Sequence, residues 1–338
     1  MKSQFSQIFV VLMLPLLLVI YSHSINDSRR SGNTKSIVWD ANENNMTGYR
    51  IPSIVITPNE TVLAFAEERA IYVDQAPKSL VLKRSIDQGK TWSSNIYIEK
   101  STGEYWSEHH DEIDPRDAQD KKEVWMNTAP SIDAKSGTVF FFYALNEGSV
   151  AGQNLQRYTK LFYKSSHDDG LTWSTRTEVT YLLNCKQDGS PNKGRSGAWN
   201  TEKNGFSCDF LGRAFHLPGP GHGIQLSDGR LLIPIWSRTA LATFNAQSLR
   251  PVSERKYGLR TIYSDDHGAT WKAGKAFGHY GLNMNESRIV ELDNGDLYIN
   301  ARYSSNDPKT NNHRITGLSK DRGRTWTALQ IDKNFAFF

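Results

Sequence analysis

An eight-residue pattern, Ser-x-Asp-x-Gly-x-Thr-Trp, occurs four times in this chain without a mismatch: Ser85 to Trp92, Ser166 to Trp173, Ser264 to Trp271 and Ser319 to Trp326. Four of the nine tryptophans stand at its last position, which removes chance as the explanation and makes the repeat the first constraint on the fold. Each copy reads as a turn. The Asp carboxylate can accept from backbone N–H groups of its own turn, and the Gly supplies a positive φ. Thr and Trp then resume a strand, the indole covering the turn. β-prone runs precede the copies, as in Leu80-Val81-Leu82 and Leu161-Phe162-Tyr163. Upstream of each lies a second hairpin signal: Ser53 to Ala66 around Asn59-Glu60, Ser131 to Tyr143 around Ser136-Gly137, Ile224 to Ile235 around Asp228-Gly229, and Ile289 to Asn300 around Asn294-Gly295. The repeated unit is therefore two strands, a variable connection, a third strand, the Asp turn and a fourth strand. Four-stranded sheets repeated along a chain predict an all-β propeller.

The Asp turns are separated by 81, 98 and 55 residues. The shortest gap fits one blade. The longer two fit one blade with an insertion, or two blades with one turn absent. Gly103 to Lys122, dense in Glu, His and Asp, reads as one insertion, and the stretch between Cys185 and Cys208 as another. Long insertions between strands usually serve a binding face. No helix of convincing length is expected after the N-terminal segment.

That segment has Lys2, an apolar run from Ile8 to Tyr21, then Ser22-His23-Ser24. The run is short for a membrane span and contains Pro15; its order of charge, apolar stretch and small residues is that of a secretory signal peptide. Residues 1–24 are thus assigned as a signal peptide and 25–338 as the propeller domain, with an uncleaved membrane anchor as the alternative. Secreted, periplasmic, lysosomal and extracellular locations all fit such a leader. Cys185 and Cys208 could pair in an oxidising compartment, which sequence leaves open. Sequons at Asn26, Asn45, Asn59 and Asn285 matter only in a eukaryotic secretory route. A net charge of +4, evenly interspersed, argues against nucleic acid and weakly suits an anionic substrate.

Tyr49-Arg50-Ile51-Pro52, followed by the Asp turns, resembles the sialidase (neuraminidase) family, over about Trp39 to Trp326. The resemblance implies a six-bladed β-propeller of four-stranded antiparallel blades. It implies a retaining exo-α-sialidase that takes terminal sialic acid from glycoproteins, gangliosides or oligosaccharides, with no cofactor and no metal. Planar guanidinium groups are the natural partners of the sialic acid carboxylate. By the family pattern Arg50 is the first arginine of the carboxylate clamp. Arg302 is the second, because it follows Asn285-Glu286-Ser287 and a hairpin, in Asn300-Ala301-Arg302. Glu286 then matches the partner of the nucleophile, Asp74 the acid for the leaving oxygen, and Arg69 a further substrate contact. The family nucleophile is a tyrosine, since a carboxylate would be repelled by the one already on the anomeric carbon, while a phenol can be deprotonated by a neighbouring glutamate. The third arginine and the tyrosine fall in the family's last two blades, whereas Phe338 lies just past the fourth Asp turn and Tyr303 comes too early. The last blades are therefore expected to be missing from this chain, and this form is expected to lack turnover. The rival expectation is a non-catalytic propeller that binds a glycan or a protein; a trans-sialidase is a third. Linkage preference, transfer against hydrolysis and oligomeric state stay open.

Asp87, Asp168, Asp266 and Asp321 are assigned a structural role, because an active site needs one constellation rather than four copies. Glu108-His109-His110-Asp111-Glu112 lacks the helical spacing of zinc motifs and reads as a solvated loop. The glycines of Gly219-Pro220-Gly221-His222-Gly223 are expected to allow close packing near the propeller axis.

Overall fold

The computed structural model describes residues 35–41, 43–109, 121–146, 159–185, 206–207, 215–238, 257–278, 282–303 and 313–333. The chain divides into a unit of Met1–Ile37 and a unit of Val38–Phe338, and the second holds the fold. The leader assigned to residues 1–24 and the Cys185–Cys208 pairing, through Cys208, lie outside the described residues. No described helix is long and apolar enough to cross a membrane.

The repeat unit read from sequence is the blade. Blade I is β1 (Gly48–Ile56), β2 (Val62–Arg69), β3 (Lys78–Ser85) and β4 (Ile96–Glu99). After a one-turn helix α1 (Glu104–Glu108), blade II is β5 (Trp125–Ile132), β6 (Val139–Asn146), β7 (Thr159–Ser166) and β8 (Thr177–Glu178). A small hairpin, β9 (Asn184–Cys185) with β10 (Phe206–Ser207), precedes blade III. The innermost strand of blade III is broken into β11 (Phe215–Pro218) and β12 (Ile224–Gln225), both paired with β13 (Leu231–Arg238), followed by β14 (Tyr257–Ser264) and β15 (Lys272–Ala273). Blade IV is β16 (Met284–Glu291), β17 (Leu297–Tyr303), β18 (Arg314–Ser319) and β19 (Thr327–Asp332). All pairings between consecutive strands of these blades are antiparallel. The gaps of 81 and 98 residues thus each hold one blade with an insertion.

The Asp turns form as their chemistry requires. In blade II the Asp168 carboxylate accepts from Thr172 N at 2.9 Å, Thr172 Oγ1 at 2.5 Å and Ser166 Oγ at 2.8 Å. Gly170 N donates to Ser166 Oγ at 2.9 Å, and both Asp169 and Gly170 have positive φ, which tightens the turn. Burial opposes ionisation of Asp168, but these hydrogen bonds outweigh it and bring its pKa to about 2. Asp87, Asp266 and Asp321 repeat the arrangement, and each is held below the usual carboxylate range.

The indoles do more than cover their turns. Trp173 of blade II meets Phe65 of blade I edge-on at 6.2 Å. Trp271 of blade III packs on Phe140 and Phe142 of blade II at 5.4 and 4.8 Å, and Trp326 of blade IV stacks on Phe277, ahead of it, at 5.4 Å. Each of these three tryptophans therefore cements its blade to the one before. The residue preceding the turn glycine adds a polar clasp to the inner hairpin of the preceding blade. Asp169 accepts from Asn59 at 3.0 Å, His267 meets Asp133 at 2.9 Å, and Arg322 pairs with Asp228.

The insertion beginning at Gly103 differs from its polar reading. Tyr105 and Trp106 of α1 are 3% exposed and join the blade I–II core, because the aromatic side chains outweigh the charges around them. His109 stacks on Tyr105 at 4.1 Å, and residues 110–112 of the acidic and histidine cluster lie outside the described residues.

Candidate active site

At the end of the blades opposite the Asp turns, the innermost strands lose register. Shifts fall between Arg50 and Ser53 in β1, between Met126 and Ala129 in β5, and between Met284 and Ser287 in β16. In β1 the break is enforced by Ile51, whose φ is +53°, and by Pro52, which offers no N–H to a ladder. Thr128 Oγ1 donates to Ile51 O at 2.8 Å and pins the bulge to blade II. Bulges re-aim side chains, and here they turn Arg50 and Glu286 toward one cavity of about 600 Å³. Tyr49, Arg50, Glu286, Arg288, Arg302 and Arg314 line it, together with Pro220 and Gly221.

The structure thus brings Arg50, Glu286 and Arg302, from the first and fourth blades, to one wall. Arg302 Nη1 lies 3.4 Å from Glu286 Oε2. Asp74 stands in the β2–β3 loop, half-exposed, with its Oδ1 3.6 Å from Arg50 Nη1 and 2.7 Å from Arg69 Nη1. Burial by itself would raise the Asp74 pKa. The Arg69 hydrogen bond and the charges of Arg69, Lys78 and Arg50 outweigh that and hold it below its ordinary value. Arg69, expected as a substrate contact, is 1% exposed and does not line the cavity. Its donors go to Glu67, to Tyr72 O at 3.1 Å and to Asp74.

Sequence reasoning missed the group behind this arrangement. Glu67 is fully buried and accepts from Arg69 Nε at 2.8 Å and Asn127 N at 2.7 Å, with Lys78 Nζ at 3.4 Å. Lys78, also fully buried, donates to Asp74 O at 2.6 Å. Arg69 and Lys78 are direct partners across β2 and β3, and Glu67 lies two residues along on the same face. The i, i+2 spacing of Glu67 and Arg69 was the available signal. Arg288 and Arg314 were missed too, since nothing in their local sequence marks them.

The tyrosine on the cavity wall is not poised to attack. Tyr49 gives its hydroxyl to Glu68 at 3.2 Å, and burial, with the charges of Glu68 and Glu43, pushes its pKa up to about 12. Asn285 is 9% exposed, its Oδ1 accepting from Glu286 N at 2.8 Å. Among the described residues no group of His, Cys, Asp and Glu is arranged to hold a metal ion.

The BNR repeat-like domain family matches residues 95–334. A sialidase of Micromonospora viridifaciens is 28% identical over 298 residues, covering 85% of this chain and 37% of that protein. Human sialidase-3 is 29% identical over 304 residues, covering 84% of this chain and 58% of its own length. Among solved structures, the Hadza microbial sialidase Hz136 superposes with a TM-score of 0.58 at 24% identity, over 85% of this chain and 47% of that one. The chain spans about half the length of the curated relatives it matches.

Proposed function

The chain belongs to the sialidase family of BNR-repeat proteins, and we propose that its cavity takes the carboxylate of a terminal sialic acid, the whole protein acting as an exo-α-sialidase on glycoproteins, glycolipids or oligosaccharides. The observation that carries this reading is the convergence of Arg50 and Arg302, from opposite ends of the blade series, on one cavity. Each guanidinium presents a planar fork that fits a carboxylate and stays charged at any working pH.

In this reading Asp74 gives its proton to the glycosidic oxygen and Glu286 takes one from a tyrosine nucleophile, which is assigned to no residue of this chain. A lowered Asp74 pKa is at odds with an acid, and Arg50 resolves the conflict. When Arg50 turns to the substrate carboxylate, Asp74 loses part of a cation and gains a neighbouring anion, and both changes raise its pKa. Arg69 is a positioning residue, holding Asp74 between Glu67 and the cavity. A secretory leader at residues 1–24 and a secreted location belong to the same proposal.

A second reading is a sialic-acid-binding module without turnover, in which Glu286 serves to hold Arg302 and Arg314 toward the ligand carboxylate. Titration of the chain with 2-deoxy-2,3-didehydro sialic acid tests the common part: saturable binding that Arg50→Ala abolishes is expected, and no binding refutes both readings. A fluorogenic sialoside given to the whole protein then separates them, since release of fluorophore supports the enzyme and binding without release supports the module.

A further inference from the structure

Ile71, Tyr72 and Val73, in the loop between β2 and β3, are 57%, 52% and 43% exposed, and no other consecutive large apolar residues of the described chain all face solvent. A single exposed apolar side chain needs no explanation, but a run of three costs solubility and returns nothing to the core. The loop is nonetheless held rigidly. Ala70 O accepts from Thr47 Oγ1, Tyr72 O from Arg69 Nη1 at 3.1 Å, Val73 O from Ala76 N at 3.1 Å and Asp74 O from Lys78 Nζ at 2.6 Å. Arg69 and Lys78 are buried, so the backbone under the three side chains is fixed from inside the blade.

The run is also seated against the strand that carries Arg50. A Cβ built on Gly48 would fall 2.5 Å from Tyr72 Oη, 3.1 Å from Cζ and 3.4 Å from Cε1, so the phenol end occupies space that any other residue at 48 would fill. Gly48 stands two residues before Arg50 in β1, and the two pair with Arg69 and Glu67. One nitrogen, Arg69 Nη1, holds both Tyr72 O and, at 2.7 Å, Asp74 Oδ1, which itself lies 3.6 Å from Arg50 Nη1. The apolar run thus borders the cavity on its Asp74 side without lining it. An acid must stand within about 2.6–3.2 Å of the oxygen it protonates, so the group attached to that oxygen beyond the sialic acid falls beside the loop that carries Asp74. From Ala70 to Val73 that loop has no ionised side chain. It is too small for a protein partner, which needs on the order of 800 Å² a side, and it lacks the cations that attract a lipid headgroup. A pyranose, with C–H groups on one face, fits a flat aromatic ring flanked by two branched aliphatic side chains.

We propose that Ile71, Tyr72 and Val73 form a subsite for the leaving sugar, the ring joined to the sialic acid, with Tyr72 on its Gly48 seat as the platform. This rests on the sialic acid reading above. The test is calorimetric titration of the full chain with 2-deoxy-2,3-didehydro sialic acid, which carries no leaving group, with methyl thiosialoside, and with sulfur-linked sialyllactoses, in which sulfur replaces the glycosidic oxygen and resists cleavage. Wild type is expected to bind at least one of the sialyllactoses fivefold or more tighter than the methyl thiosialoside. Tyr72→Ser should cancel that advantage and leave the other two ligands at wild-type affinity, with an unchanged melting temperature verifying its fold. Gly48→Ala, which displaces the ring without removing it, and Val73→Ser should each lose part of the same advantage, so the comparison stands even where Tyr72→Ser fails to fold. No advantage for the lactosides in wild type, or an advantage that the folded variants keep, overturns the subsite and leaves the sialic acid reading standing. An octyl thiosialoside that gains as much as the lactosides overturns the assignment to a sugar ring. If the didehydro sugar and every sialoside fail to bind, the sialic acid reading itself fails and the subsite falls with it.

Discussion

Replacing Glu67 by Gln keeps the shape of a fully buried side chain and removes only its charge. Arg69 and Lys78, at 1% and 0% side-chain exposure, would then face each other across β2 and β3 with their shared counter-ion gone. Removing one partner of a buried ion pair typically costs about 3–5 kcal/mol, because the partner left behind stays desolvated. With roughly 2–4 °C of melting temperature per kcal/mol in a domain above 150 residues, the expected drop is on the order of 10 °C. The penalty also carries a pH signature. Burial already lowers the Lys78 pKa, and Glu67 is the largest influence opposing it. In the variant that pKa falls further, so below its unfolded value the unfolded chain binds more protons than the folded one. Stability must then rise with pH across that window, up to about pH 10.5. Thermal melts of wild type, Glu67→Gln, Lys78→Met and the double variant at several pH values measure both effects. The double variant should melt above Glu67→Gln, since it no longer buries the orphan ammonium. A melting temperature for Glu67→Gln within 1 °C of wild type, flat with pH, would refute the argument.

Asp168→Ala should cost ~1 kcal/mol, comparable to a lost helix cap, and should leave ligand affinity unchanged. Because Asp168 and Asp133 titrate at about 2 when folded and near 3.8 otherwise, their stabilisation is complete above pH 3.8 and is lost as pH falls toward about 2; Asp168→Ala should flatten that acid limb of a pH–melting curve. Arg50→Ala should raise the Asp74 pKa, and so should the didehydro sugar in the wild type, both followed by carboxyl NMR titration; an Asp74 that ignores both would dissociate it from the clamp. Arg50→Lys should weaken the didehydro sugar at least tenfold, because a point charge replaces a fork, and calorimetry reads this directly.

The blades were legible because their signals are local. An Asp that bonds the amides of its own turn, and a Gly that takes positive φ, do so whatever surrounds them, so Asp87, Asp168, Asp266 and Asp321 could be assigned from spacing alone. Arg50, Asp74, Glu286 and Arg302 could be picked out by resemblance, and Arg50, Glu286 and Arg302 do converge on one cavity with Asp74 beside it. What the sequence hid is non-local. Asn127 donates to Glu67 across 60 positions, and Arg288 rests on a glycine 67 positions earlier, in another blade. The break of the innermost strand of blade III was hidden for the same reason. Phe215-His216-Leu217-Pro218 pairs with β13 beyond the Ile224–Ile235 hairpin, and only the intervening glycines hint at the interruption. The buried aromatics of α1 were masked by charged neighbours that dominate composition without deciding burial.

The two ends of the blades follow different rules, and the difference locates the chemistry. At the Asp-turn end the innermost hairpins keep register, so the sequence there can repeat, and equivalent residues perform equivalent clasps in successive blades: Asp169, His267 and Arg322. At the other end β1, β5 and β16 each slip register, and the innermost strand of blade III is interrupted outright. A slip frees backbone groups and rotates the next side chain out of the pleat, and each blade spends that freedom differently. Blade I presents Arg50, blade II turns Asn127 N to Glu67, blade III supplies Gly221, on which Arg288 rests, and blade IV presents Glu286 and Arg288. A repeat protein can build one asymmetric site only where its repeats cease to be equivalent. The register breaks on the innermost strands are where that happens here, which is why the residues that recur in this sequence hold the fold and those that occur once surround the cavity.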